Sequence, residues 1–214
     1  MRVDPRHGAV GEWYFEQPEP LITPYNTADY HRLLLLVQSF AEILGQHELL
    51  FARVVRFHHP QWTPHDIECG LPSSTTAAEL AHTCERLLAD ARPEPRGLPV
   101  TTEITGDGLV LDPSLGVQRL ADVISITATM YGNLAINMAT QIDAWMEYTI
   151  DAKPQPDIHR MNAPRLEAAL AAIQRRTGIV PVTEPTRFAV PDISGLRNQR
   201  YSDGEPVDCS ILLD

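Results

Sequence analysis

Apolar residues return with helical period in three stretches of the chain. After Asn26-Thr27 they fall at Tyr30, Leu33, Leu34, Val37, Phe40, Ala41 and Leu44, and Gly45 closes the run, which predicts a first helix. Leu35, Leu36 and Ile43 lie off that stripe, so this helix is expected to be covered on more than one side. A second helix is announced by the capping-box pattern Thr76-Ala77-Ala78-Glu79. Ala77, Leu80, Ala81, Cys84, Leu87, Leu88 and Ala91 share one of its faces, Glu79, His82, Glu85, Arg86 and Asp90 the other, and Pro93 and Pro95 end it. The third is expected from Asn162, with Pro164 in its first turn, Leu166, Ala169, Leu170 and Ile173 inward, and Arg175-Arg176-Thr177-Gly178 as its stop.

Between these helices the period drops to two. Glu48 to Phe57 reads as a strand, and Pro99 to Leu111 as a hairpin turning at Gly106-Asp107-Gly108. Asp122 to Met130 alternates strictly, and Tyr131-Gly132-Asn133 returns the chain into Leu134, Ile136 and Met138. From there to Ile150 the pattern fits a strand, yet Leu134, Met138, Ile142 and Trp145 also fit a helix; the strand is preferred. Beyond Gly178 a short strand is expected at Arg187 to Val190, a turn at Asp203-Gly204 and an edge strand from Cys209 to Leu213. There is no internal repeat and no long flexible linker, so the expectation is one α+β domain over residues 1–214. Its core would be a mostly antiparallel sheet of hairpins with about three helices packed on it.

Charge narrows the partners. Lys and Arg number 17 against 28 Asp and Glu, a net charge of -11, which repels phosphate backbones and anionic membrane surfaces. The Leu33 to Val37 run is five residues, far short of the roughly 20 needed to span a bilayer. Met1-Arg2-Val3-Asp4-Pro5-Arg6-His7 leads into no apolar stretch of the secretory kind, and the three cysteines form no Cys-x-x-Cys pair. The expected setting is the cytoplasm, with reduced thiols.

Candidate chemistry is sparse. His58, His59, His65, Asp66 and Cys69 are ligand types that zinc prefers, but adjacent histidines on a strand point to opposite faces and Pro60 and Pro64 stiffen the loop, so a polar loop is the expectation. Cys69 lies near His65 without a third residue to orient a base, and Cys84 sits on an apolar helix face, a packing position. His47-Glu48 opens like a zinc-protease helix, but Phe51 stands where the second histidine is needed. Gly106-Asp107-Gly108 lacks the third glycine and the following helix of a dinucleotide site. No phosphate loop or nucleophile elbow is present, and neither a metal nor a cofactor is expected.

On an alternating strand Asp143, Trp145 and Glu147 share one face, beside Tyr148: an aromatic among acids, suited to a cationic partner. Trp62 is a second contact candidate. The leading expectation is therefore an acidic binding or inhibitor domain, such as an immunity protein or antitoxin against a basic toxin, with contacts at Asp143, Trp145, Glu147, Tyr148 and Trp62. The alternative is a small enzyme or ligand-binding protein with a pocket between sheet and helices, drawing acid-base groups from His58, His65, Asp66 or His159. The heavily apolar first helix also offers an interface for a homo-oligomer.

Overall fold

The computed structural model describes residues 2–4, 7–21, 26–59, 66–91 and 98–213. The chain folds as α+β, with a mostly antiparallel sheet and three α-helices among the described residues. The strands are β1 (Gly11–Glu16), β2 (Phe51–His58), β3 (Ile67–Gly70), β4 (Thr101–Asp112), β5 (Gly116–Ala121), β6 (Ile124–Met130) and β7 (Leu134–Thr140). Their order is β1-β7-β6-β4-β2-β3, and β5 pairs with the far half of β4. A separate hairpin, β8 (Ala189–Asp192) and β9 (Gly195–Asn198), follows late in the chain.

Alternation sorts the sheet into two faces. Trp13 and Phe15 of β1, Ile136 and Met138 of β7, Ile124, Ile126, Ala128 and Met130 of β6, Thr102 and Ile104 of β4, and Val55 and Phe57 of β2 are all buried on one side. Against them lies α1 (Thr27–Gln46), whose leucines and phenylalanine supply the opposing layer. Phe15 meets Phe40 edge-on with ring centroids 4.9 Å apart, a contact that locks β1 to α1. The helix starts at Asn26, whose side chain accepts the Asp29 N–H at 3.0 Å. As expected, α1 is covered twice: α2 (Leu80–Ala91) and α3 (Pro156–Thr177) both pack on it, and of the off-stripe residues Leu36 and Ile43 are buried while Leu35 stays exposed.

Four expectations need correction. Gly106-Asp107-Gly108 is not a turn: it lies inside the 12-residue β4, and the chain reverses at Pro113-Ser114-Leu115, where the Asp112 carboxylate accepts both the Ser114 and Leu115 N–H groups. These glycines serve close approach instead. A Cβ at Gly106 would stand 2.0 Å from the Phe51 carbonyl oxygen, and one at Gly108 2.4 Å from that of Leu49. The third helix begins at Pro156, not at Asn162, so Pro164 sits within it on the exposed side, where water can serve the carbonyl that lost its donor. Cys209 to Leu213 contributes no edge strand; Ser210–Leu213 is a short 3-10 turn. Residues 141–150 form bends and turns apart from one bridge at each end, so the strand reading holds only to Thr140.

Asn162, fully buried, ties α3 to the sheet. Its side chain accepts the Leu111 N–H at 2.9 Å and donates to the Leu111 carbonyl at 2.8 Å, standing in for a strand on the edge of β4 that β2 does not reach. One turn on, Arg165 donates to the Leu109 carbonyl and to the His47 carbonyl beyond α1, at 2.9 and 2.8 Å. Partial burial of this guanidinium pushes its pKa below the usual arginine value, a cost offset by the carbonyls it serves. No described helix is long and apolar enough to cross a membrane.

Candidate functional site

Asp143, Trp145 and Glu147, expected on one face beside Tyr148, do not share one. The chain leaves β7 at Thr140 and turns inward, so Asp143 is 1% exposed and Trp145 0%. Thr140 anchors that turn: its hydroxyl donates to the Val123 carbonyl at 2.7 Å and accepts the Trp145 indole N–H at 3.0 Å. Asp143 accepts the Ile150 N–H at 3.0 Å, and its backbone carbonyl takes a 2.7 Å bond from the Gln155 amide. Both residues build the interior. Glu147 and Tyr148 stay nearer the surface, but Arg200 engages both, through a 2.9 Å ion pair and from 5.6 Å above the tyrosine ring. Trp62 and His65, like Pro93 and Pro95, lie outside the described residues.

The histidine-rich segment separates as strand geometry requires. His58 projects from the polar face of β2 and pairs with Asp66, whereas Cys69 lies opposite Val55 on the covered side. Among the described residues no group of three or more His, Cys, Asp or Glu converges as a metal site. His159 lines a cleft between α3 and β9, beside the Arg197–Asp192 pair at 2.8 Å.

Cys84 is a packing residue, as its helix face predicted. Burial pushes its thiol from 9.0 to about 12, so it holds almost no thiolate at neutral pH. A thiol reagent applied to the native protein at mildly alkaline pH should leave Cys84 unmodified until denaturant is added, as read by peptide mass. Because its folded pKa is raised, the neutral thiol's contribution to stability is complete below 9.0 and fades as pH climbs toward 12.

The sheet's uncovered face carries a feature absent from the expectations. One register row crosses six strands: Tyr14, Asn137, Thr127, Glu103, Arg56 and Glu68. At the β3 end the acids are neutralised, since Arg56 holds Glu68 at 2.5 Å and Glu103 at 3.1 Å. At the β1 end they are not. Glu12, Tyr14 and Glu16 all point outward, and Glu184 lies alongside because Tyr14 and Val182 exchange backbone hydrogen bonds at 2.8 and 2.9 Å. Among the described residues neither Glu12 nor Glu184 has a cationic partner. Tyr14 is 38% exposed and Val182 60%, and with Glu12, Asn137, Glu184 and Pro185 they enclose a notch of about 340 Å³. Desolvation, and then the nearby Glu16 carboxylate, raises the Tyr14 phenol above its ordinary pKa. The signal was present in Gly-Glu-Trp-Tyr-Phe-Glu, whose Glu and Tyr alternate with Trp and Phe in the manner of a half-buried strand.

Comparison with family models, with curated proteins and with solved structures returns no match to this chain.

Proposed function

We propose that this is a binding domain that docks a basic protein through the β1 end of its open sheet face. The single observation behind the reading is the notch beside Tyr14: an aromatic ring flanked by two carboxylates that have no cationic partner among the described residues. A guanidinium over the ring would gain cation–π attraction while Glu12 and Glu184 take its N–H groups. Val182 adds exposed apolar surface next to the ring, the kind of anchor that carries binding energy at protein interfaces. The net charge of -11 would speed encounter with a basic partner. In its concrete form this is an immunity protein or antitoxin that neutralises a cationic toxin such as a nuclease.

The test is affinity capture from cytosol with the parent and with a Glu12→Lys/Glu184→Lys variant, at low and high salt. The parent should retain a basic protein that high salt releases, and the variant should hold the same protein at least tenfold more weakly. A tetra-arginine peptide titrated by NMR should shift the amides of Glu12, Tyr14 and Val182 first. Equal capture by the variant, or peptide shifts scattered over the molecule, would refute the assignment.

A further inference from the structure

A second concavity, distinct from the β1 notch, lies between sheet and helices. It is a groove of about 380 Å³ walled by α1, by the start of β2, by the loop that leads into α2 and by β5. That volume sits at the lower end of small-molecule sites. Two arginines enter it in a chain whose charge is otherwise strongly negative. Arg53 of β2 and Arg119 of β5 both use Nε to hold the same oxygen of Asp107, at 3.2 and 2.9 Å. Arg119 also lies 5.2 Å from the centre of the Phe51 ring.

This arrangement is lopsided in a chemically specific way. One carboxylate serves two guanidiniums, so the cluster keeps one positive charge in excess. With each Nε anchored, the terminal N–H groups of both arginines have no hydrogen-bond partner among the described residues. The shared anchor also fixes their orientation, which lowers the entropy lost when a ligand binds. Ser73 and Thr75 line the same groove with hydroxyls that make no side-chain hydrogen bond among the described residues, and Leu50 and Leu80 supply an apolar floor. The start of the neighbouring helix adds nothing to the charge, because Glu79 already caps it through the Thr76 N–H and hydroxyl. Planar forks of N–H donors match oxyanions, and the floor favours a ligand with an apolar body.

The geometry points to a binding site for a small organic oxyanion, a carboxylate or a phosphate ester, held by Arg53 and Arg119 with its apolar part against Leu50 and Leu80. The test titrates the full chain with phenyl phosphate, benzoate and neutral benzamide, followed by NMR. At least one of the two oxyanions should shift the Phe51, Ser73 and Thr75 amides while benzamide shifts none, and whichever oxyanion binds identifies the headgroup. Binding should weaken at least tenfold in Arg53→Gln/Arg119→Gln. The inference fails if neither oxyanion binds, if benzamide binds as well as they do, or if the double variant binds undiminished. Should that variant not fold, shifts in the parent protein that lie away from the groove overturn the inference by themselves.

Discussion

Gly106→Ala should destabilise the protein by more than about 3 kcal/mol, a large share of what holds a domain of this size together. The added carbon would sit 2.0 Å from the Phe51 carbonyl oxygen and 2.8 Å from the carbonyl carbon. These are backbone atoms of the paired strand, which cannot swing aside as a flexible side chain could. Relief requires β2 and β4 to separate where β2 already carries a register irregularity between Ala52 and Val54. Gly70→Ala is the control, since nothing lies within 4 Å of a Cβ there, and its effect should stay within about 0.5 kcal/mol. Urea denaturation of the three proteins decides the matter. Equal midpoints for the two variants would show that β2 and β4 do not approach this closely.

Trp145→Ala should cost about 3–5 kcal/mol, the range for truncating a large buried aromatic. Its ring is fully enclosed, and its N–H ends on the Thr140 hydroxyl at the point where the chain turns in from β7. Trp145→Phe keeps most of the volume and loses that hydrogen bond, so a penalty of about 1–2 kcal/mol is expected. The pair separates an interior role from a contact role. Both variants should bind any partner with unchanged affinity per folded molecule, whereas a contact residue would lose affinity without losing stability. Thermal melts and binding measured on the same samples give both readouts.

Much of the architecture could be read from the chain because its local signals are chemically unambiguous. α1 starts at Thr27, beside the Asn26-Thr27 boundary the pattern indicates, Thr76 and Glu79 mark the approach to α2, and the strict alternation from Ile124 to Met130 is β6. The errors share a cause: one residue type serves two purposes that sequence does not separate. Glycine permits both tight turns and close backbone contact, and at Gly106 and Gly108 contact is what the fold uses. Proline marks a first turn at Pro156 and is tolerated inside the helix at Pro164, and the sequence alone does not distinguish the two roles. The shared outward face expected of Asp143 and Trp145 is absent for a related reason. Alternation specifies a face only while the chain stays extended, and here it stops at Thr140. The groove that holds Arg53 and Arg119 was invisible, since it depends on β5 pairing with the far half of β4, a product of the sheet's topology.

Among the described strands of the sheet, β1 comes earliest in sequence yet is among the last to be completed. Its hydrogen-bonding neighbour β7 is made more than a hundred residues later, where Gly11 meets Thr140, and the Trp13 indole finds its acceptor only at the Asp192 carbonyl, 179 positions downstream. Until β7 is made, then, Trp13 and Phe15 lack their sheet neighbours Met138 and Ile136, although Phe40 of α1 is already present to meet Phe15. Closing so distant a pairing is slow compared with local helix formation. The edge of β1 that faces Val182 is completed later still, so a chain shorter than 182 residues leaves the Tyr14 N–H and carbonyl without their native partners.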